Sequence, residues 1–179
     1  EGVRHNFRFK FLICAALSLG AGVLFFLCGD SLIGLYLTGE GDAADAASVL
    51  IYGREYLTVM LWGLLPFAIC NAYASTLKES GETFVPMAAG VAAVAVNLVL
   101  NYVFIFGHFG APAMGVRGAA LATVISRYVE LLLVAGWTHR NGAKHPFIRG
   151  AYASMAIPGP LLKNVIVTGM PLLANELLW

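Results

Sequence analysis

Leu77 to Gly107 reads LKESGETFVPMAAGVAAVAVNLVLNYVFIFG, and after a short Gly/Pro connection Gly115 to Arg127 reads GVRGAALATVISR. No residue from Val85 to Phe106 is charged. A run of that length crosses a hydrocarbon core of ~30 Å at a rise of ~1.5 Å per residue. Its strongly polar side chains are Asn97 and Asn101, four apart on one helical face that Ala93 and Ala89 continue. An amide turned to lipid leaves its hydrogen bonds unmade, so this face must look at protein or water. The stretch predicts a membrane helix with one small, polar face.

Composition agrees. Hydrophobic residues make up 59% of the chain and charged residues 12%, and mean hydropathy is +0.78. These values lie outside the range of soluble domains and predict an all-α, polytopic transmembrane helix bundle in the lipid bilayer. A net charge of +1 and the lack of a basic run with interleaved aromatics argue against nucleic-acid binding. Cys14, Cys28 and Cys70 sit singly in apolar runs and read as small hydrophobes. The ends, Glu1 without an initiator Met and Trp179 inside an apolar run, lead us to expect a piece of a longer protein.

Working outward, Phe11 to Cys28 reads as a first span ended by Asp30, and Leu32 to Leu37 as a short interfacial turn. Residues 38–48 are acidic, with Asp42 a candidate N-cap and Asp45 in the following first turn. A long helix over Ala43–Thr76 follows, expected to kink at Pro66. Thr83 is a candidate cap for the next span, with Pro86 in its first turn. The fourth span, Gly118 to Gly136, carries Gly118, Ala122 and Ser126 at four-residue spacing, a stripe that permits close helix approach. Residues 150–160 read as a linker, and a fifth span starts near Leu161.

Lys and Arg are unevenly placed. One side collects Arg4, Arg8, Lys10, Lys78, Arg140, Lys144, Arg149 and Lys163; the loops of the other hold Arg117. This bias puts the N-terminal segment, the 78–84 turn and the 138–160 linker in the cytoplasm.

Asn97 and Asn101 read either as a cation- or drug-binding pair or as interhelical glue, and Thr123 either adds a hydroxyl to that site or bonds its own backbone. Arg127 and Glu130, three apart in mid-span, predict a buried ion pair that either neutralises itself for packing or serves proton linkage or gating. Glu176 is a further carboxylate candidate on the last span. His5, His108, His139 and His145 fall in segments read as solvated loops, without zinc-type spacing. No nucleophile elbow, Walker loop or paired-His metal motif occurs, which argues against an enzyme.

The chain resembles the multidrug and toxic compound extrusion (MATE) antiporters. The resemblance rests on LKESGETFVPM after a Pro-containing helix, NLVLNYVFIFG ending the next, GVRGAALATVIS opening the one after, and the later GMPLLANELLW. It implies a place in a two-lobed, twelve-helix transporter of the cell membrane. Residues 1–157 would be helices three to six of the first lobe with its cytoplasmic linker, and 158–179 the truncated first helix of the second. It implies export of small organic cations and drugs in exchange for H+ or Na+ by alternating access. No cofactor beyond the coupling ion is implied, and the partners are the remaining helices of the same chain. Many relatives carry a coupling Asp where this chain has Asn101, and an amide carries no titrating proton. Asn97, Asn101 and Thr123 are the implied substrate or cation residues, with Glu176 on the seventh helix. A flippase for lipid-linked oligosaccharide, towards which Arg127 leans, and a non-transporting membrane scaffold are the alternatives.

Overall fold

The computed structural model describes residues 2–37, 43–145, 147–148, 150–152, 159 and 167, with backbone alone at 35–37 and 43–47. It contains four long helices: α1 (Gly2–Leu37), α2 (Ala43–Glu79), α3 (Phe84–Phe106) and α4 (Gly115–Arg140). All four are long and apolar enough to cross a membrane. Helix α4 packs against both α2 and α3, and α1 lies against α2. The acidic 38–42 stretch with Asp42, most of the linker, and the fifth span with Glu176 lie outside the described residues, as does the side chain of Asp45.

The first span differs from expectation. Helix α1 continues through Asp30 to Leu37 instead of breaking into a span and an interfacial turn. No proline interrupts it, and Asp30 meets Arg54 of α2 at 3.5 Å, so its charge is matched without ending the helix. Thr83 does occupy the N-cap position of α3, but its backbone is already helical and its side chain makes no cap bond. Helix α3 ends on Gly107, whose φ of 74° suits a residue without Cβ. Two histidines expected in loops lie within helices, His5 in α1 and His139 in α4, and His145 is buried against the Trp137 ring.

Pro66 lies inside an unbroken α2. Lacking an N–H, it cannot satisfy the carbonyl of Trp62 one turn earlier. The Tyr128 hydroxyl of α4 donates to that oxygen at 3.3 Å. The sequence marked the proline; the remedy comes from a residue far along the chain. Tyr128→Phe is expected to cost about 0.5–1 kcal/mol in the intact protein, read as a lower thermal midpoint in detergent. An unchanged midpoint would mean that the Trp62 carbonyl does not depend on the phenol.

Small residues set the spacing around α4. A Cβ added at Gly118 would sit 2.6 Å from the Phe104 carbonyl oxygen, and one at Gly63 would sit 3.2 Å from Val124. Helices therefore approach with backbone nearly in contact at both faces of α4. Ala89 and Ala93 are buried while Val91, Val94 and Leu98 are exposed, so the α3 face carrying the asparagines is the one that meets α4.

A separate aromatic cluster closes the end of the bundle that holds the N-terminus. The Phe7 ring lies 5.0 Å edge-on from Tyr73 and 5.5 Å from Phe147. Tyr73 and Tyr152 share a hydroxyl hydrogen bond. Arg8, 7% exposed, donates from Nε to the Ala151 carbonyl at 2.8 Å and from Nη2 to the Gly150 carbonyl at 2.7 Å. Lys10 pairs with Glu79 nearby. The basic start of α1 and the segment after α4 thus share one end of the bundle.

Candidate functional site

Asn97 lies on α3 where the small residues of α4 bring the two helices together. Its Nδ2 donates to Thr123 Oγ1 at 3.2 Å and reaches Ser126 Oγ at 3.5 Å. Its Oδ1 accepts from Asn101 Nδ2 at 2.8 Å. The two hydroxyls also donate to their own helix, Thr123 to the Ala119 carbonyl and Ser126 to the Thr123 carbonyl. Both readings of Thr123 therefore describe the same side chain. Its hydrogen goes to the backbone, and its lone pair faces Asn97.

One atom stands out of this ladder. The Asn101 Oδ1 is buried and has no hydrogen-bond partner among the described residues. A carbonyl oxygen buried without a partner forfeits hydration worth about 1–3 kcal/mol, and it is a hard ligand of the kind alkali cations accept.

Thr123 also lines a second space. A cavity of about 250 Å³ opens between α2 and α4, walled by Met60, Leu64 and Phe67 together with Gly63, Thr123 and Arg127. Arg127 follows Thr123 by one turn and so shares its face. Its guanidinium lies 5.0 Å from the centre of the Phe67 ring, and Nη1 donates to Glu130 Oε2 at 2.9 Å. The other carboxylate oxygen, Oε1, points towards α3, where it lies 3.8 Å from the place a Cβ would take on Gly90.

The ion pair is less enclosed than expected: the Arg127 side chain is 40% exposed and that of Glu130 19%. Helices α2 and α3 cover only part of the α4 circumference. The structure thus brings together Asn97, Asn101 and Thr123, and joins Arg127 to Glu130. Glu176 lies outside the described residues. Sequence reasoning missed Ser126 as an amide partner, although its spacing from Thr123 places it on the same side of α4. It also missed Phe67, which no local pattern marks. Among the described residues no cluster of His, Cys, Asp and Glu could hold a metal ion.

Four apolar helices, one of which turns its amides to a neighbour and away from lipid, define a polytopic membrane protein with a polar interhelical site. The chain belongs to the MatE family, whose model matches residues 1–103, and it is a multi-pass membrane protein. It is 40% identical over 100 residues to the "Probable multidrug resistance protein NorM" of Thermotoga maritima, covering 56% of this chain and 20% of that one. Over 149 residues it is 31% identical to the like-named protein of Bradyrhizobium diazoefficiens, covering 79% of this chain and 30% of that one. It is 31% identical over 117 residues to the "Multidrug resistance protein MdtK" of Cronobacter sakazakii, covering 65% of this chain and 25% of that one. The chain therefore spans between a fifth and a third of the length of these relatives. No solved structure matches it.

Proposed function

We propose that the chain is part of a secondary active antiporter that exports organic cations and drugs in exchange for H+ or Na+ by alternating access. It would act as a transporter and not as an enzyme. The observation that carries this reading is the buried, unpartnered Asn101 oxygen at the end of the Asn97–Thr123–Ser126 ladder, in a MatE-family chain. The names of the multidrug resistance relatives support the substrate class. Residues 1–157 would supply helices of one lobe and 158–179 the start of the other, in the cell membrane with the basic end cytoplasmic.

Asn101 binds through dipoles and exchanges no proton. Coupling in this reading then falls to a carboxylate elsewhere, with Glu176 one candidate. A lipid-linked oligosaccharide flippase would call for a cationic cavity, and the charge of Arg127 is matched by Glu130. A scaffold would have no use for an unpartnered amide oxygen inside the bundle.

The test is transport of ethidium by the full-length protein in proteoliposomes under imposed H+ or Na+ gradients. Asn101→Leu is expected to reduce transport about tenfold with little loss of folded protein, because leucine suits the membrane interior. Asn101→Asp is expected to add a pH or Na+ dependence. Unchanged transport in Asn101→Leu would make the amide packing glue. For orientation, a cysteine at Ala143 in a cysteine-free background should resist an impermeant thiol reagent applied from outside, and one at Ala111 should react; the reverse would overturn the assignment.

A further inference from the structure

Arg127 and Glu130 lie near the middle of α4, with Arg127 about 18 Å along the axis from its start. A charge at that depth is expensive, and the pair could neutralise itself with nothing else nearby. The surroundings are more specific than neutralisation requires. The guanidinium lies over the Phe67 ring of α2, within cation–π range, while its nitrogen holds the Glu130 carboxylate. An aromatic face plus a carboxylate at the mid-depth of a bundle is the chemistry that recognises a weakly hydrated organic cation. Beside it lies the 250 Å³ cavity with Met60 and Leu64 on its wall and Thr123 at its edge. Thr123 also takes part in the Asn97 ladder, so one residue borders both.

We propose that Phe67 and Glu130 form a subsite for an organic monocation, and that Arg127 occupies it as a resident surrogate until substrate displaces its guanidinium. This rests on the reading of the protein as a cation exporter and names where part of that cation binds. Among the described residues, the other groups facing Glu130 do not compete for the role. Helix α3 presents Gly90 to it, and α2 contributes Cys70, a free thiol within electrostatic reach of both charges. On displacement the guanidinium keeps its charge and swings into the adjoining cavity, which Arg127 already lines. The apparent affinity for substrate is thereby lowered by the fraction of time that Arg127 holds the site.

The experiment measures ethidium binding to purified full-length protein in nanodiscs by fluorescence anisotropy, with transport of the same dye in proteoliposomes. Arg127→Gln removes the surrogate, so the Kd for ethidium is expected to fall about tenfold. Adding Glu130→Gln to that variant should raise Kd above the wild-type value. Adding Phe67→Leu to Arg127→Gln should raise Kd about fivefold. Arg127→Lys keeps the neutral pair but loses the planar fork and the stacking, so it should bind about threefold tighter than wild type, and it carries the test if Arg127→Gln does not fold. An unchanged or raised Kd in Arg127→Gln, or in Arg127→Lys where that variant stands in, overturns the proposal. So does equal binding by Arg127→Gln with and without Glu130. If wild-type protein transports ethidium and these variants bind it alike, the subsite is wrong and the exporter reading survives. If wild-type protein neither binds nor moves any cation, both fall.

Discussion

Replacing Gly118 with valine in the full-length protein is expected to cost ~3 kcal/mol or more, enough to remove most of the folded material. The added Cβ would meet the Phe104 carbonyl oxygen at 2.6 Å and its carbon at 2.8 Å. Both are backbone atoms of α3, so no rotamer change relieves the clash, and α3 must move off α4. Nearby, Met114 N–H donates to that same carbonyl at 2.8 Å, so displacing it would also disturb the turn between the helices. The Asn97 bonds to Thr123 and Ser126 depend on the same approach, so whatever variant protein survives should also transport poorly. The measurement is the monodisperse fraction and thermal midpoint in detergent. A midpoint equal to wild type would show that α3 and α4 tolerate a wider gap than this contact implies. Gly118→Ala carries the same clash without the branched methyls and should fall between the two.

Arg8→Ala is expected to be the next most damaging change, at about 3 kcal/mol. Two charge-assisted bonds to backbone carbonyls are lost, each worth ~1.5–3 kcal/mol where charge is involved, less what the freed Gly150 and Ala151 oxygens recover from water. The guanidinium reaches both carbonyls at once because it is a planar fork with Nε and Nη2 on one edge. Arg8→Lys should therefore recover less than half of the loss. The segment after α4 should also loosen, since the aromatic contacts and the Tyr73–Tyr152 bond then hold it without the arginine. Faster trypsin cleavage after Lys144 would report this. Wild-type cleavage and midpoint in Arg8→Ala would show that the aromatic cluster anchors the segment without the arginine.

The order and helical character of the four spans were legible because each depends on a local quantity. Hydropathy over about twenty residues states whether a helix crosses a bilayer, and the 3.6-residue period states which residues share a face. Val85–Phe106 could be read to within a residue at its start. The continuation of α1 through Asp30 could not. Whether a charge ends a span depends on a partner, and Arg54 stands on another helix. The Asn97–Asn101 face could likewise be assigned to the protein side from the cost of exposed amides. That Asn97 is saturated by Thr123 and Ser126 while Asn101 keeps a bare oxygen could not be known before the register of α3 on α4 was fixed.

The same division runs through the charges. Spacing alone joined Arg127 to Glu130, since three residues along a helix bring side chains to one another. Spacing carried no sign of Phe67 beneath the guanidinium, of Gly90 beside the carboxylate, or of Tyr128 serving the carbonyl that Pro66 leaves open. By itself the sequence determined a multi-pass helical membrane chain, its polar face and its small-residue stripe, because hydropathy and helical period act over a few turns of one segment. The tertiary structure decided which polar atoms are satisfied, which is left bare, and what the mid-helix arginine rests on. Those outcomes depend on the rotation and offset of one helix against another, set by contacts between residues distant in the chain.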